Sequence, residues 1–223
     1  MEAQLQLPQV EHDELSVGTD LYDLFGAEDG FDFDDPAAEN AYFEGQDISY
    51  TEGRGAELRS CVLKRCNLRG IRWTRASFTD VIFENCDLSN ARFYEGYFQR
   101  VQFIGCKMVG ADAVDARLRN VAFDDSILRM LNLSGAKLTG VRFKDCDLSE
   151  AALRMLQEMK RVNFTRTDLT RAELAGTKLK GIDLTSCKLE GIQLTGAPEL
   201  RGAYVSSEQA IQLSALLGVI LKD

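Results

Sequence analysis

The 223-residue chain carries 35 acidic and 26 basic side chains, for a formal net charge of −9. The length suits one substantial domain, and no apolar run approaches the roughly 18 residues of a membrane span. The first residues also lack the basic start and apolar stretch of a secretion signal, so we expect a soluble, cytoplasmic protein.

The first forty residues differ sharply in composition from the rest of the chain. They hold twelve acids and no Lys or Arg, so residues 41–223, with 23 acids and 26 bases, carry a net charge of +3. Such a segment is typical of a solvated tail, although Leu21, Leu24 and Phe25 are compatible with partial order. Three interpretations stay open: a tail or a cap over the first turn of the fold, an anionic segment for a basic partner, or a segment folded back on this protein's own basic surface.

From about Val81 to Leu194 the sequence repeats with a period of five. A large apolar residue occupies every fifth position, as in Phe83, Leu88 and Phe93, and the residue two places earlier is small or β-branched. This period matches neither a strand, with a period of two, nor a helix, with a period of 3.6. It indicates a solenoid whose short units bury their apolar side chains by stacking on neighbouring units.

A second period of twenty is superposed on the first, which predicts four short faces in each coil. If the chain turns at every fifth residue, like residues in successive coils stack about 4.8 Å apart. The stacked core positions should include Phe83, Phe103, Phe123, Phe143, Phe164, Cys86, Cys106 and Cys146.

Units such as CNLRG (66–70), CDLSN (86–90), AKLTG (136–140) and TDLTR (167–171) resemble the pentapeptide-repeat family. The resemblance covers about residues 41–197 and implies the fold of that family, an all-β right-handed quadrilateral β-helix. It divides the chain into an acidic segment or cap (1–40), the β-helix (41–203) and a C-terminal helix with an apolar tip (204–223).

All six cysteines fall on the small inward position of a repeat, and five of them share one column. We interpret them as buried thiols that behave as small apolar side chains. A ladder along an axis does not converge on one metal ion, and disulfides are rare in a cytoplasmic chain. We therefore predict no metal and no cofactor.

Four positions interrupt the pattern. Gly53 stands where a large apolar residue is expected, Trp73 enlarges a core position, and Ala113 removes core volume. The frame also slips by one residue after Leu153, which predicts a bulge at about 155–161. Some members of the quinolone-resistance branch of the family carry longer loops, so members without loops are the better comparison.

One predicted face, formed by residues 76–80 and their repeats, is rich in bases. We expect it to be either a solvated face or a binding stripe for nucleic acid, an acidic protein or the chain's own N-terminus. Its outward bases include Lys160 and Arg161, opposed only by Asp80 and Glu158. The candidate partner-binding residues on this face are Arg100, Arg117, Arg119, Lys137, Lys178 and Lys180.

The last twenty residues are predicted to end the solenoid. Pro198 breaks the frame, Ser206 and Gln209 have the spacing of a helical capping box, and Gly218 is placed to end the helix. The pattern LRGAYV…QA…L…LGV resembles the end of the gyrase-protecting members of the family, in which this segment builds a tail-to-tail homodimer. The alternative is a plain monomeric cap. The dimer interface implied by the resemblance is Ala210, Leu213, Leu217, Val219, Ile220 and Leu221.

Catalytic chemistry has little support in the sequence. The single histidine, His12, lies in the acidic segment, so no Ser-His-Asp or Cys-His arrangement can be built in the solenoid. The glycines recur at predicted coil corners and not in a phosphate-binding loop. We therefore predict a protein that is not an enzyme.

The resemblance and the surface lead to three functional hypotheses. The first is binding to DNA gyrase or topoisomerase IV by DNA mimicry, which would protect the enzyme from quinolone-type or peptide inhibitors. The charge of +3 on residues 41–223 opposes it, because mimicry needs an anionic rod. The second is a protein-interaction scaffold or regulator that uses the basic face or the acidic N-terminus. The third, nucleic-acid binding by the basic face, is disfavoured by a pI near 4.8.

Overall fold

The computed structural model describes residues 5–8, 10, 15–17, 21, 37–216 and 218–220. These residues form a right-handed quadrilateral β-helix of parallel strands that ends in two short helices, which confirms the predicted fold class. Neither helix combines the length and the apolar character needed to cross a bilayer. The strands are β1 Ser16–Val17, β2 Ala37–Glu39, β3 Ala41–Glu44, β4 Glu52–Arg54, β5 Glu57–Lys64, β6 Arg72–Thr74, β7 Ser77–Glu84, β8 Tyr97–Ile104, β9 Arg117–Asp124, β10 Lys137–Lys144 and β11 Glu158–Thr165. The helices are α1 Ala197–Leu200 and α2 Ser207–Leu216.

The long strands build two adjacent faces of the coil. They pair in parallel in the order β1-β3-β5-β7-β8-β9-β10-β11, and β2 also pairs with β5. Each eight-residue strand turns one corner, so residues 77–80 of β7 lie on what we call the first face and residues 81–84 on the second face. The third face (86–90 and its repeats) and the fourth face (91–95 and its repeats) are held by isolated bridges such as Asp87 to Lys107 and Arg92 to Asp112.

The twenty-residue register stacks like side chains on one another. Phe83, Phe103, Phe123 and Phe143 occupy one column, with neighbouring ring centroids 4.9 Å apart and nearly parallel rings. Phe164 continues the column 5.1 Å from Phe143. These distances equal the spacing of paired strands, so the column follows directly from the period of twenty.

The corners of the coil require backbone conformations that few residues adopt easily. Asn85, Gly105 and Asp125, which end three successive pentapeptides of the second face, have φ values of 53°, 60° and 51°. Asn, Asp and Gly tolerate this left-handed region best. Their recurrence in the sequence is therefore explained by corner geometry.

The two large irregularities of the core compensate each other. Trp73 lies in the coil that follows Gly53 and in the same column, where its Cδ1 atom would be 3.6 Å from a Cβ on that glycine. The indole is buried and fills the space that the missing side chain leaves. Ala113, by contrast, leaves an apolar cavity of about 10 Å³ between Phe93 and Leu133.

The predicted bulge is confirmed and lies at Gln157 and Glu158. The Gln157 N–H still donates to the Ala136 carbonyl at 3.0 Å, which is the bond that a regular twenty-residue coil makes at this position. Glu158 nevertheless pairs with Lys137, which is a register of twenty-one. The one extra residue in β11 therefore shifts the register of all later coils. A second shift of the register follows at Pro198, since Asp183 bridges to Tyr204.

Candidate interaction surface

The interior of the solenoid is filled by side chains. The buried apolar core extends from Leu21 to Leu213, and the cavity beside Ala113 is about 10 Å³. A cavity needs roughly that volume to admit one water molecule, so this one has no room for a ligand. Binding chemistry must therefore be sought on the outside.

The cysteine column is a hydrogen-bonded ladder. The thiols of Cys86 and Cys106 each donate to a backbone carbonyl in the preceding coil at 3.3 Å, and Ser126 and Thr167 occupy the same column with equivalent hydroxyl bonds. A hydrogen bond with Cys106, together with burial, raises the pKa of Cys86 to about 12. Burial raises the pKa of Cys146 to about 11. The thiols of Cys86 and Cys146 therefore stay protonated at neutral pH, which makes them poor nucleophiles.

The first face presents most of its predicted bases to solvent. Arg117, Arg119, Lys137, Lys178 and Lys180 are all exposed. Arg100 differs, because its guanidinium makes a two-pronged bond to Asp80 in the preceding coil, with distances of 2.6 and 2.5 Å. This carboxylate raises the pKa of Arg100 and neutralises its charge locally.

The bases in the middle of the first face lie close to one another, although Lys137 also lies opposite Glu158 of β11. Lys137 lies directly opposite Arg117 in the paired strands, and Arg119 lies opposite Thr139. Within the part of the chain that the structure describes, no ion pair joins Arg117, Arg119 or Lys137 to an acid. Parallel strands lie about 4.8 Å apart, so the repulsion between these charges favours an anionic neighbour.

An open, charged groove of about 600 Å³ follows the border between the fourth and first faces. Arg75 and Glu95 line one end and pair with each other at 2.7 Å. Asp115, Arg117 and Lys137 line the other end, where the bases outnumber the acid. The groove therefore adds to the positive character of the first face.

The described N-terminal residues lie at two places on the rod. Leu21 is buried at the open first coil and donates its N–H to the Gln46 side chain at 2.6 Å. Ser16 pairs with Ala41. Far along the rod, the Asn120 amide donates to the Gln6 side chain at 3.5 Å. The first set of contacts suits a cap and the second suits a segment folded back on the rod. Of the twelve acids of residues 1–40, eleven lie outside the described residues and Glu39 is in β2.

The C-terminal end is capped by α1 and α2. Ser206 and Gln209 bond reciprocally, with Gln209 N–H to Ser206 Oγ at 3.2 Å and Ser206 N–H to Gln209 Oε1 at 2.7 Å, which confirms the capping box. The Gln209 amide also donates to the carbonyls of Leu184 and Cys187, both at 2.8 Å. This second role, which ties α2 to the last coil, has no signal in the sequence.

The residues expected at a dimer interface divide into three groups. Leu213 is only 5% exposed and packs in the protein's own core, so it holds α2 on the solenoid. Ala210 and Val219 are exposed, and Ile220 is 92% exposed. Leu217 and Leu221 lie outside the described residues. Ile211 and Leu216, which the sequence pattern did not single out, are also exposed.

A four-faced parallel β-helix with a filled core and stacked five-residue units defines the chain as a β-solenoid repeat protein. Two family models match it: one for a pentapeptide repeat region, over residues 76–153, and one described as pentapeptide repeats (8 copies), over residues 56–93 and again over 163–197. Together these matches cover more than half of the chain, which belongs to the pentapeptide-repeat family. Solenoids of this family are generally non-catalytic scaffolds.

Solved structures with a similar course of the chain come from diverse sources. A trypsin-treated form of QnrB1, a plasmid-mediated fluoroquinolone resistance protein, is 15% identical over 84% of this chain and 99% of its own, with a TM-score of 0.39. A pentapeptide repeat protein from the Arabidopsis thaliana thylakoid lumen is 24% identical over 45% of this chain and 67% of its own, with a TM-score of 0.37. HetL is a pentapeptide repeat protein involved in heterocyst differentiation regulation in the cyanobacterium Nostoc sp. strain PCC 7120. It is 20% identical over 78% of this chain and 88% of its own, with a TM-score of 0.27. No curated protein matches the chain.

Proposed function

We propose that this protein is a non-enzymatic binding protein that acts as a tail-to-tail homodimer on a type II topoisomerase, DNA gyrase or topoisomerase IV. The observation that carries the proposal is the apolar C-terminal end. Ile211 and Leu216 are exposed on the helix that closes the solenoid, and Val219 and Ile220 are exposed just beyond it. The resemblance of this segment to the end of gyrase-protecting family members supports the choice of target.

The energetics favour a partner for this end. Fully burying one aliphatic side chain of this size stabilises a complex by about 1.5–3 kcal/mol. A contact between two copies would bury the same apolar residues twice, as a two-fold interface does. It would also join two rods end to end and so lengthen the surface that a target can contact.

The charge distribution limits how the rod could imitate DNA. Residues 41–223 carry a net charge of +3, so mimicry needs either acids that cluster locally on the dimer surface or the acids of residues 1–40, and we propose the acids of residues 1–40 as the source. Deleting those acids should therefore reduce topoisomerase binding, whereas changing the bases of the first face should not.

The test is DNA supercoiling by gyrase in the presence of ciprofloxacin, with increasing amounts of the protein. We expect the protein at micromolar concentration to restore supercoiling, or to inhibit it when no drug is present. The absence of both effects would remove gyrase as the target, and the same assay with topoisomerase IV would then decide the second enzyme.

The dimer is tested by a matched pair of substitutions. Leu216 and Ile127 are both 47% exposed, but Leu216 belongs to the apolar C-terminal end and Ile127 to the third face. We expect Leu216→Asp to sediment as a monomer and to lower the activity in the gyrase assay at least about tenfold, equivalent to about 1.4 kcal/mol. Ile127→Asp should behave as the wild type, and a monomeric wild type would contradict the dimer.

A second candidate function is a scaffold that binds an acidic macromolecule through the first face. The neighbouring Arg117 and Lys137 favour it, because like charges on adjacent strands destabilise one another until an anion lies between them, and no ion pair among the described residues joins either base to an acid. If substitution of these bases removes the effect of the protein in the gyrase assay, the binding surface is the first face, and the assignment shifts towards this function.

A further inference from the structure

The charged groove at the border between the fourth and first faces crosses several coils of the rod. In coil order its lining residues run from Arg75 to Gln157. These two residues lie about four coils apart, or about 19 Å at the spacing of paired strands. An extended peptide rises about 3.3 Å per residue, so about six residues span this distance. The groove therefore has the length of a short peptide segment.

Two bases stand side by side in the groove. Arg117 and Lys137 lie opposite each other on β9 and β10. Both are exposed, and no ion pair among the described residues joins either of them to an acid. A guanidinium group binds a carboxylate through two parallel hydrogen bonds, and a neighbouring ammonium group adds a third donor. The two side chains therefore form a site for an oxyanion.

The acid that lies opposite Lys137 is held by a different base. Glu158 faces Lys137 in the strand register, but its carboxylate pairs with Lys160 at 2.7 Å. The hydrogen bond from Lys160 is the main cause that lowers the pKa of Glu158. The bulge places the neutral amide of Gln157 in the lining of the groove. An external carboxylate therefore reaches Lys137 without displacing an ion pair of the described residues.

The groove also contains hydrogen-bond acceptors, which favour a peptide over a nucleic acid. Asp115 and Glu95 line it together with the bases. The Asp115 carboxylate lies so close over Gly135 that a Cβ there would collide with it, and Glu95 pairs with Arg75 at 2.7 Å. Carboxylates repel a continuous row of phosphates, whereas a peptide backbone presents N–H groups from which they accept. The mixed charges therefore fit an acidic peptide.

We propose that this groove binds an extended acidic segment of about six residues from a partner protein. One Glu or Asp side chain of the segment lies between Arg117 and Lys137, and backbone N–H groups of the segment face Asp115. The inference rests on the second candidate function, whose ligand it specifies, and is independent of topoisomerase binding. It also restricts the binding surface to part of the first face, because Lys178 and Lys180 lie beyond the bulge and do not line the groove.

The test measures the binding of fluorescein-labelled hexaglutamate to the full-length protein by fluorescence anisotropy at low salt. We expect saturable binding that weakens as salt is added. Arg117→Ala with Lys137→Ala should weaken it at least about fivefold, because two ion pairs with the peptide are lost. Lys178→Ala with Lys180→Ala removes the same charge from the same face and should change the affinity less than about twofold. No binding to the wild type, or an equal loss in both double variants, would overturn the proposed site.

A second probe decides the class of ligand. An oligothymidylate with six phosphates matches the side-chain charge of hexaglutamate, and tighter binding of this oligonucleotide than of the peptide would overturn the assignment to a peptide. Asp115→Asn with Glu95→Gln should raise the affinity for the oligothymidylate more than that for hexaglutamate, because phosphates gain most when the acids are removed. In the gyrase assay, Arg117→Ala with Lys137→Ala should act as the wild type does, so a failure of peptide binding is distinguishable from a failure of topoisomerase binding.

Discussion

At the scale of single residues, the core column of the third face shows a requirement that hydropathy alone misses. Cys86, Cys106 and Cys146 alternate in it with Ser126 and Thr167, and each side chain donates to a carbonyl of the preceding coil. Each buried thiol or hydroxyl therefore has a hydrogen-bond acceptor, as buried polar groups usually do. This explains why the column mixes thiols and hydroxyls but remains small throughout.

The thiol chemistry gives the prediction at this scale. All six cysteines are buried and free. Because the pKa of Cys86 is raised to about 12 and that of Cys146 to about 11, little thiolate forms at pH 8. We expect iodoacetamide to modify less than about one thiol per native chain and all six in urea, measured by mass spectrometry.

A control variant separates burial from intrinsic reactivity. Lys178→Cys places a seventh thiol on the exposed first face, and it should be alkylated quickly in the native protein. Rapid labelling of the wild-type cysteines under the same conditions would contradict the prediction.

At the scale of elements, α1 is organised by a buried carboxylate. Glu199 accepts bonds from the Gly176 N–H at 3.1 Å and the Thr195 N–H at 3.2 Å, and also from the Thr195 hydroxyl. Its own carbonyl accepts from Leu179 at 2.9 Å, which continues the solenoid ladder into the helix. The Thr195 hydroxyl bond is the main cause that lowers the pKa of Glu199 to about 2.

The prediction for this element is a pH dependence of stability. The pKa of Glu199 is lower in the folded than in the unfolded chain, so its contribution is complete above about pH 4.5 and is lost as the pH falls towards 2. Glu199→Gln should lower the free energy of unfolding by about 1.5–3 kcal/mol at pH 7, the range for hydrogen bonds to a charged group.

Urea denaturation at several pH values measures the effect. The curves of wild type and Glu199→Gln should approach each other as the pH falls below 4, whereas Glu190→Gln, at an exposed position of the last coils, should stay within about 0.5 kcal/mol of wild type at pH 7. A difference that does not change with pH would show that Glu199 acts through its shape alone.

At the scale of the whole molecule, stability depends on contacts between successive coils. Each coil touches only the coils before and after it, so the rod behaves as a linear array of coupled units. Phe123 lies in a central coil and stacks on both Phe103 and Phe143. Removal of its ring should weaken the coupling between the two halves of the rod.

The corresponding prediction uses the single tryptophan as a local probe. Phe123→Ala should lower the free energy of unfolding by about 3–5 kcal/mol. It should also separate two unfolding transitions: that of the early coils, seen by Trp73 fluorescence, and that of the whole rod, seen by far-ultraviolet circular dichroism. In Ile127→Ala, an exposed position of the same coil, the two transitions should stay together. Coincident transitions in Phe123→Ala would mean that the rod unfolds as one cooperative unit.

The sequence by itself determined the coil of this protein. The five-residue unit, the twenty-residue turn, the shift at Gln157 and Glu158 and the capping box at Ser206 all follow from local patterns. In a solenoid each residue meets the residue one coil away, at a constant offset in the chain. A periodic sequence therefore encodes its own contacts, and the fold can be predicted from the repeat.

Only the tertiary structure decided which outward side chains meet and where the aperiodic ends lie. Asp80 and Arg100 are one coil apart, so the repeat places them side by side, but their ion pair depends on the rotamers of two outward side chains. The bonds of Gln209 to the last coil and of Gln6 to Asn120, 114 residues away, join segments that have no period. The two ends of the chain do not repeat, so their sequence does not predict which residues they contact. Their positions on the rod become known only when the chain is folded.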